Sequence, residues 1–197
     1  LMDVLGDVLK AVRLNGSVYF NTCFCSPWGM SLSHSSRASF HIIVNGNAWL
    51  KLPSQPLPVQ LFAGDIILFP TGVAHTISEQ VDSICREASE VVEAYNNEQP
   101  MFVGDTESIA LVCGYVEFDR SMSHPFIDNL PEYIHIKADV RTEFYWLDSV
   151  IKQIIMESQS DIPGSTAIVD RFTEVLFIQI IRTYAQQNNV DMSYFKA

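Results

Sequence analysis

Residues 64 to 75 read GDIILFPTGVAH, a G-x5-P-x-G-x2-H spacing. Gly64-Asp65 reverses the chain, Ile66 to Phe69 form a short strand, and Pro70 with Gly72 reverse it again. His75 then opens the next strand, with its side chain committed to one face of a sheet. Turns this close together allow only short strands and exclude a long flat sheet. A small barrel or jelly roll satisfies that restriction.

The neighbouring sequence agrees. SVYFNTCFC (17–25) alternates and is rich in β-formers, Pro27-Trp28-Gly29 interrupts it, and MSLS resumes. SFHIIV leads into Asn45-Gly46, a two-residue hairpin signal, and NAWLKL reads as the returning strand. SIALVCGYVEFD (108–119) has the β-branched and aromatic content of a strand of about ten residues, and YIHI (133–136) reads as a further short strand. Ahead of the strand at 108, residues 79–107 are acidic and read as a long surface loop, with at most a helical turn or two in SICREASEVVEAY.

Helical spacing flanks the strands. Val4, Leu5, Val8, Leu9 and Val12 fall on one face of an opening helix over 2–14, stopped by Asn15-Gly16. At the other end, Phe144, Leu147, Val150, Ile151, Ile154 and Ile155 form an apolar face. Pro163-Gly164 breaks the pattern, and Ser165 or Thr166 is placed to cap a second helix over 165–187. Its stripe (Ile168, Val169, Phe172, Val175, Leu176, Ile180 and Tyr184) is wider than one contact requires, which leaves apolar surface for a partner. Strands first and helices later give an α+β, mainly β chain: a barrel with its opening helix over 1–140, then two long antiparallel helices over 141–197.

Charge narrows the function. The formal net charge is −11, with 12 basic residues in no dense run, so this chain is a poor partner for nucleic-acid phosphates. Asp3, Asp7, Lys10 and Arg13 break any apolar core of a secretory signal. No stretch reaches the roughly 18 uninterrupted apolar residues of a membrane span. Four cysteines without an export signal point to reduced thiols in the cytoplasm.

The candidate site residues lie on the strands. His41 and Ser39 share parity and point the same way. His41, His75 and Cys113 on barrel-lining strands form a candidate set for Zn²⁺ or another divalent metal, with Cys23 or Cys25 as a further thiolate. The alternative is that the histidines are hydrogen-bonded core groups and the cysteines small hydrophobes. Cys23 and Cys25 themselves face one way about 6.5 Å apart on an extended strand, too far for a disulfide. His41, His75, Trp49 and Tyr115 are the candidate contacts for a small molecule in the barrel, with Trp28, Phe40 and Phe69 completing an apolar pocket. Glu117 and Asp119 read as a solvated strand edge, and His124 and His135 as structural. No nucleophile elbow, P-loop or dinucleotide fingerprint is present.

The 64–75 spacing resembles the second sequence motif of cupins at every fixed position. The first cupin motif, with two His and a Glu, is degraded: Ser39 stands at the Glu place, and His34 is flanked by Ser33, Ser35 and Ser36. That departure weighs against a metal-dependent cupin dioxygenase or isomerase, the competing reading. MDVLGDVLKAVRL, SPWGMSL, FHIIVNGNAWLKL, AGDIILFPTGVAHTIS, LVCGYVEFD and HPFIDNLPEYIHI follow one another in the order seen in the cupin-type N-terminal domain of AraC-family transcriptional regulators. The resemblance implies a cupin-like double-stranded β-helix barrel without enzymatic activity. It implies a small-molecule effector in that barrel and a homodimer through the C-terminal helices. DNA would be bound only through a C-terminal helix-turn-helix domain absent from this sequence. It names neither the effector nor the target genes, and it does not separate activator from repressor.

Overall fold

The computed structural model describes residues 6, 13–118, 129–139 and 145–188. The opening helix, Asp119, His124 and Phe144 therefore lie outside the described residues, apart from a helical Gly6. The order is β1 (Asn15–Cys25), β2 (Gly29–Leu32), β3 (Ala38–Lys51), β4 (Val59–Phe62), β5 (Ile66–Phe69), β6 (His75–Ser78), β7 (Arg86–Glu87), α1 (Ala88–Asn96), β8 (Glu107–Glu117), β9 (Ile134–Ile136), α2 (Tyr145–Ser158) and α3 (Ser165–Gln187).

The fourteen-residue β3 organises a curled nine-stranded sheet. Its first half, Ala38–Ile42, lies between β8 and β5. Its second half pairs with β4 and β6. β1 extends the sheet beyond β8, β9 extends it beyond β5, and β2 extends it beyond β6. All pairings are antiparallel except β2 with β7.

Asn45-Gly46 makes no hairpin, contrary to the sequence expectation. β3 runs straight through it, with a register shift against β8 between Ile43 and Asn45. Gly46 sits at φ +84°, where an added Cβ would stand 2.4 Å from the Ser108 carbonyl oxygen. The glycine permits a bulge within one long strand. The bulge reverses parity: His41 and Ile43 face the barrel interior before it, Ala48 and Leu50 after it.

Both faces of the β8–β3–β5 layer are covered. Phe40, Ile42, Ile66, Leu68, Val112 and Val116 turn toward the helices and join a core with Leu147, Ile154, Leu176, Phe177, Ile180 and Ile181. The alternate residues Ile43, Ile67, Phe69, Leu111 and Cys113 form the interior core with Phe20, Phe24, Trp28 and Leu61. This explains why all four residues of β5 are buried. It also corrects Phe40, which packs against the helices rather than at a barrel mouth.

Residues 79–107 are more ordered than expected. Ala88–Asn96 is a nine-residue helix whose Val91 is buried against the interior core. α3 spans 165–187 as its spacing predicts, but Gly164 at φ +97° holds the cap position and no side chain caps the helix. The Ser165 hydroxyl donates instead to the Ile162 carbonyl at 2.8 Å.

The 64–75 motif acts as a close-packed turn. Gly72 has φ +67°, and an added Cβ would lie 2.2 Å from the Ser35 carbonyl oxygen and 2.4 Å from that of Arg37. The Gly72 carbonyl accepts from the Ser35 amide at 2.9 Å. Asp65 closes the other turn. Its carboxylate accepts from the Phe62 amide, the Ala138 amide and His135 Nε2 at 3.1, 2.9 and 2.9 Å. Burial acts to raise the Asp65 pKa, but these hydrogen bonds outweigh it and hold the carboxyl below its ordinary value. Gly72→Ala combines a left-handed backbone with a backbone clash, so a loss of at least about 2 kcal/mol in urea unfolding is expected. An unchanged unfolding midpoint would contradict that account.

Candidate functional site

β3 and β8 place His41 directly opposite Cys113. Their side chains meet inside the barrel, with His41 Nδ1 3.0 Å from Cys113 Sγ. The other nitrogen, His41 Nε2, lies 2.8 Å from His75 Nε2 at the start of β6. His75 Nδ1 lies 2.8 Å from the Val73 carbonyl oxygen. Phe69 stacks on the His75 ring with centroids 3.7 Å apart and planes 14° from parallel. The two histidines and Cys113 are buried.

The proton positions follow from one end. A carbonyl only accepts, so His75 Nδ1 carries a hydrogen and donates to Val73. With the ring neutral, His75 Nε2 is an acceptor, and His41 Nε2–H donates to it. His41 Nδ1 is then a lone pair that accepts the Cys113 S–H. Charge is kept out of the chain. Burial, with His75 adding to it, holds His41 well below the ordinary histidine range. Burial lowers His75 to about 4 against the opposing pull of the Val73 hydrogen bond. Burial also pushes the Cys113 thiol up.

This arrangement does not fit one ion shared by His41, His75 and Cys113. Cys113 and His75 meet opposite nitrogens of the His41 ring, and a single ion binds only one of them. Among the described residues no three His, Cys, Asp or Glu side chains are grouped to hold a metal. Cys23 and Cys25 add nothing to the set. A register shift between Phe24 and Cys25 breaks their common parity, leaving Cys23 exposed and Cys25 buried with its thiol on the Gly104 carbonyl.

His41 and Cys113 form part of the wall of a cavity of about 720 Å³. Phe20, Met30 and Leu32 supply apolar lining, and Val92 of α1 faces them. Tyr19, Arg37 and Tyr115 also line it. Arg37 forms an ion pair with Glu117, and its guanidinium lies 4.4 Å from the Tyr115 ring centroid. Desolvation raises the Tyr19 pKa, against a hydrogen bond from Arg37 that lowers it. α1 is tied on by Glu87, which accepts from Ser31 Oγ at 2.8 Å.

The structure thus brings His41, Cys113 and Tyr115 to one cavity. His75 stands behind His41 and lines a separate cavity of about 360 Å³ with Lys51 and Thr76. Trp49 lines neither, because the bulge turns its parity away from the buried Ala48 and Leu50. Arg37 and Tyr19 were not singled out from sequence, although Arg37 shares the parity of Ser39 and His41. Glu117 is paired with Arg37 rather than merely solvated, and His135 is structural, bonded to Asp65.

Both cavity-side imidazoles are depressed, so the sign of their effect on stability is fixed. The unfolded chain binds protons as pH falls below about 6.5, while folded His41 and His75 resist them. Each should cost about 1.4 kcal/mol per pH unit below 6.5, over a window reaching down to about 4 for His75. Urea midpoints measured between pH 7.5 and 5 should therefore fall, and His75→Gln should flatten the slope.

A cupin family profile matches residues 3–186. The HTH-type transcriptional regulator AlkR of Acinetobacter baylyi is 27% identical over 100% of this chain and 65% of its own length. A putative AraC-like transcription regulator of Streptomyces antibioticus is 20% identical over 94% of this chain and 61% of its own length. The chain thus spans less than two thirds of either relative. Among solved structures, an apo variant of ToxT from Vibrio cholerae aligns with a TM-score of 0.46 at 12% identity, covering 90% of this chain and 56% of that one. The chain belongs to the cupin family, in the form of the cupin domain of AraC-family transcriptional regulators.

Proposed function

We propose that this domain senses a small-molecule effector in the 720 Å³ cavity and reports its presence to α2 and α3. One observation carries the reading: consecutive residues of β3 serve both places. Ser39 and His41 face the cavity, while Phe40 and Ile42 pack in the core shared with the helices. A ligand pressing on the interior face therefore acts on the strand that supports α2 and α3. The lining sets apolar Phe20, Met30, Leu32 and Val92 beside polar and charged groups that include Ser39, Arg37 and Glu93, which suits a small molecule with both apolar and polar parts. Relatives named as transcriptional regulators support a regulatory role; on this reading the domain is no enzyme, acts in the cytoplasm and leaves DNA to a separate helix-turn-helix part. The acidic net charge of −11 supports that division.

The probe for this reading is 1-anilinonaphthalene-8-sulfonate, an apolar body with one anionic group. Its fluorescence should rise on binding, and at about 100 times its Kd it should stabilise the fold by about 2.7 kcal/mol. Ser39→Phe fills the cavity from its wall and should abolish both effects. Dye binding that survives this substitution would place the site elsewhere.

The same reading makes the domain a homodimer through its helices. Ile168 is 41% exposed and Val175 38% exposed on α3, beside a groove they line with Phe172. Phe172 packs against the helix core, while Ile168 and Val175 stay exposed among the described residues, and a second copy of α3 is the occupant proposed. Sedimentation should give twice the monomer mass for the wild type and monomer mass for Ile168→Glu/Val175→Glu. A monomeric wild type at micromolar concentration would refute dimerisation through this face.

A further inference from the structure

We propose that Cys113 is a nucleophile that captures electrophilic effectors covalently, with His41 as its general base. This rests on the sensor reading of the same cavity and names the chemical class of its effector. Three observations support it. Cys113 Sγ lies 3.0 Å from His41 Nδ1, the nitrogen left unprotonated by the chain from Val73. His41 is held in that tautomer by a third group, His75 Nε2, at 2.8 Å, so nucleophile, base and orienting residue stand in series. The Cys113 and His41 end of the series forms part of the wall of the 720 Å³ cavity, whereas His75 does not line it. A structural cross-tie requires the hydrogen bonds but not an open cavity beside the thiol.

The resting thiol is neutral and desolvated, so it does not react as a free thiolate. Attack requires transfer of the S–H proton to His41 Nδ1 as the sulfur–carbon bond forms. His75 then accepts the Nε2–H of the imidazolium and, through its own bond to Val73, spreads the charge over two rings. The chain holds this one mobile proton, and a reaction that returns it suits the site. Addition to the electron-poor C=C of an α,β-unsaturated carbonyl does so. The S–C bond forms at the β carbon, the π bond breaks, and the resulting enolate takes the proton back from His41 at its α carbon. No leaving group, oxidant or water is needed, and the product stays attached. Phe20, Met30, Leu32 and Val92 of the lining can accept the hydrocarbon body of such a carbonyl compound.

The test uses the whole 197-residue chain with non-3-en-2-one, and adducts are quantified at each cysteine by peptide mass spectrometry. The exposed Cys23 serves as internal reference. Cys113 should acquire the adduct, and His41→Gln should slow that addition about 100-fold or more while leaving the Cys23 rate unchanged. His75→Leu should slow it similarly. His75→Gln, which keeps an acceptor for His41 Nε2–H, should retain most of the rate, an outcome that a loss of packing would not produce. Wild-type protein in which Cys23 is labelled and Cys113 is not would overturn the proposal without recourse to any variant. So would a His41→Gln protein, folded by circular dichroism, that labels Cys113 at the wild-type rate. If Cys113 stays unlabelled while the anilinonaphthalenesulfonate complex still forms and is lost in Ser39→Phe, the covalent step fails and the sensor reading stands. Labelling of Cys113 in a protein whose cavity gives no dye binding would uphold the nucleophile and remove the sensor reading.

Discussion

A single backbone carbonyl, that of Val73, orients the interior of this barrel. Because it can only accept, it fixes the proton on His75 Nδ1, and the assignment passes through His41 to Cys113. The three residues come from β6, β3 and β8, so the chain crosses the interior between the two halves of the curled sheet. Three buried polar side chains are satisfied without any formal charge, which avoids the desolvation cost of burying an ion. Removing either imidazole strands a donor or an acceptor on its neighbour, at a cost of about 1–3 kcal/mol for each orphaned group. The turn around Gly72 is therefore more than a connection. It places the Val73 carbonyl and the start of β6 in the register that the chain needs.

That constraint gives the motif a role in a hydrogen-bonded chain. The spacing from Gly64 to His75 delivers a histidine to the barrel interior whatever that histidine then does. In this sequence Ser39 occupies the place of the cupin Glu, and the nearest partner for His75 is another imidazole. Cys113 meets the far nitrogen of that ring rather than a common centre. The same residue types that suggest a metal cage thus form a linear relay. The difference lies in which edge of His41 each neighbour approaches, and no spacing rule encodes it.

Much of the rest was legible, for identifiable reasons. β5 and β6 fall where the turn residues put them, and α3 runs from 165 to 187 as its apolar period indicates. The inward direction of Ser39 and His41 followed from parity alone. Parity failed where a bulge intervened. Asn45-Gly46 has the composition of a hairpin turn, yet the tertiary pairing of β3 with both β8 and β6 keeps the chain extended and uses Gly46 for a close approach to Ser108. Trp49 lies beyond that bulge and lines neither cavity, and a similar shift against β8 breaks the common parity expected of Cys23 and Cys25. α1 was read as a loop because its acidic residues hide a short apolar pattern. Val91, Val92 and Tyr95 acquire meaning only from the interior core they meet. Arg37 and Tyr19 went unnoticed because a cavity rim is assembled from residues far apart in sequence.

The double use of β3 makes the cavity and the helices hard to separate physically. Its first half is buried on both faces, and close-packed interiors transmit displacement rather than absorb it. A shift of His41 toward or away from the cavity moves the backbone that carries Phe40 and Ile42. These residues share a core with Leu147, Leu176, Phe177 and Ile180 of the two helices. Two further contacts stiffen that connection. The Asn21 side-chain amide donates to Ser158 Oγ at 2.9 Å, joining β1 to the end of α2. Gly16 approaches α3 so closely that an added Cβ would lie 2.8 Å from the Thr173 methyl carbon. The helices are thus held to the outer face of the layer whose inner face forms part of the cavity wall. A change of packing inside the barrel is therefore passed to the helices on its outer face.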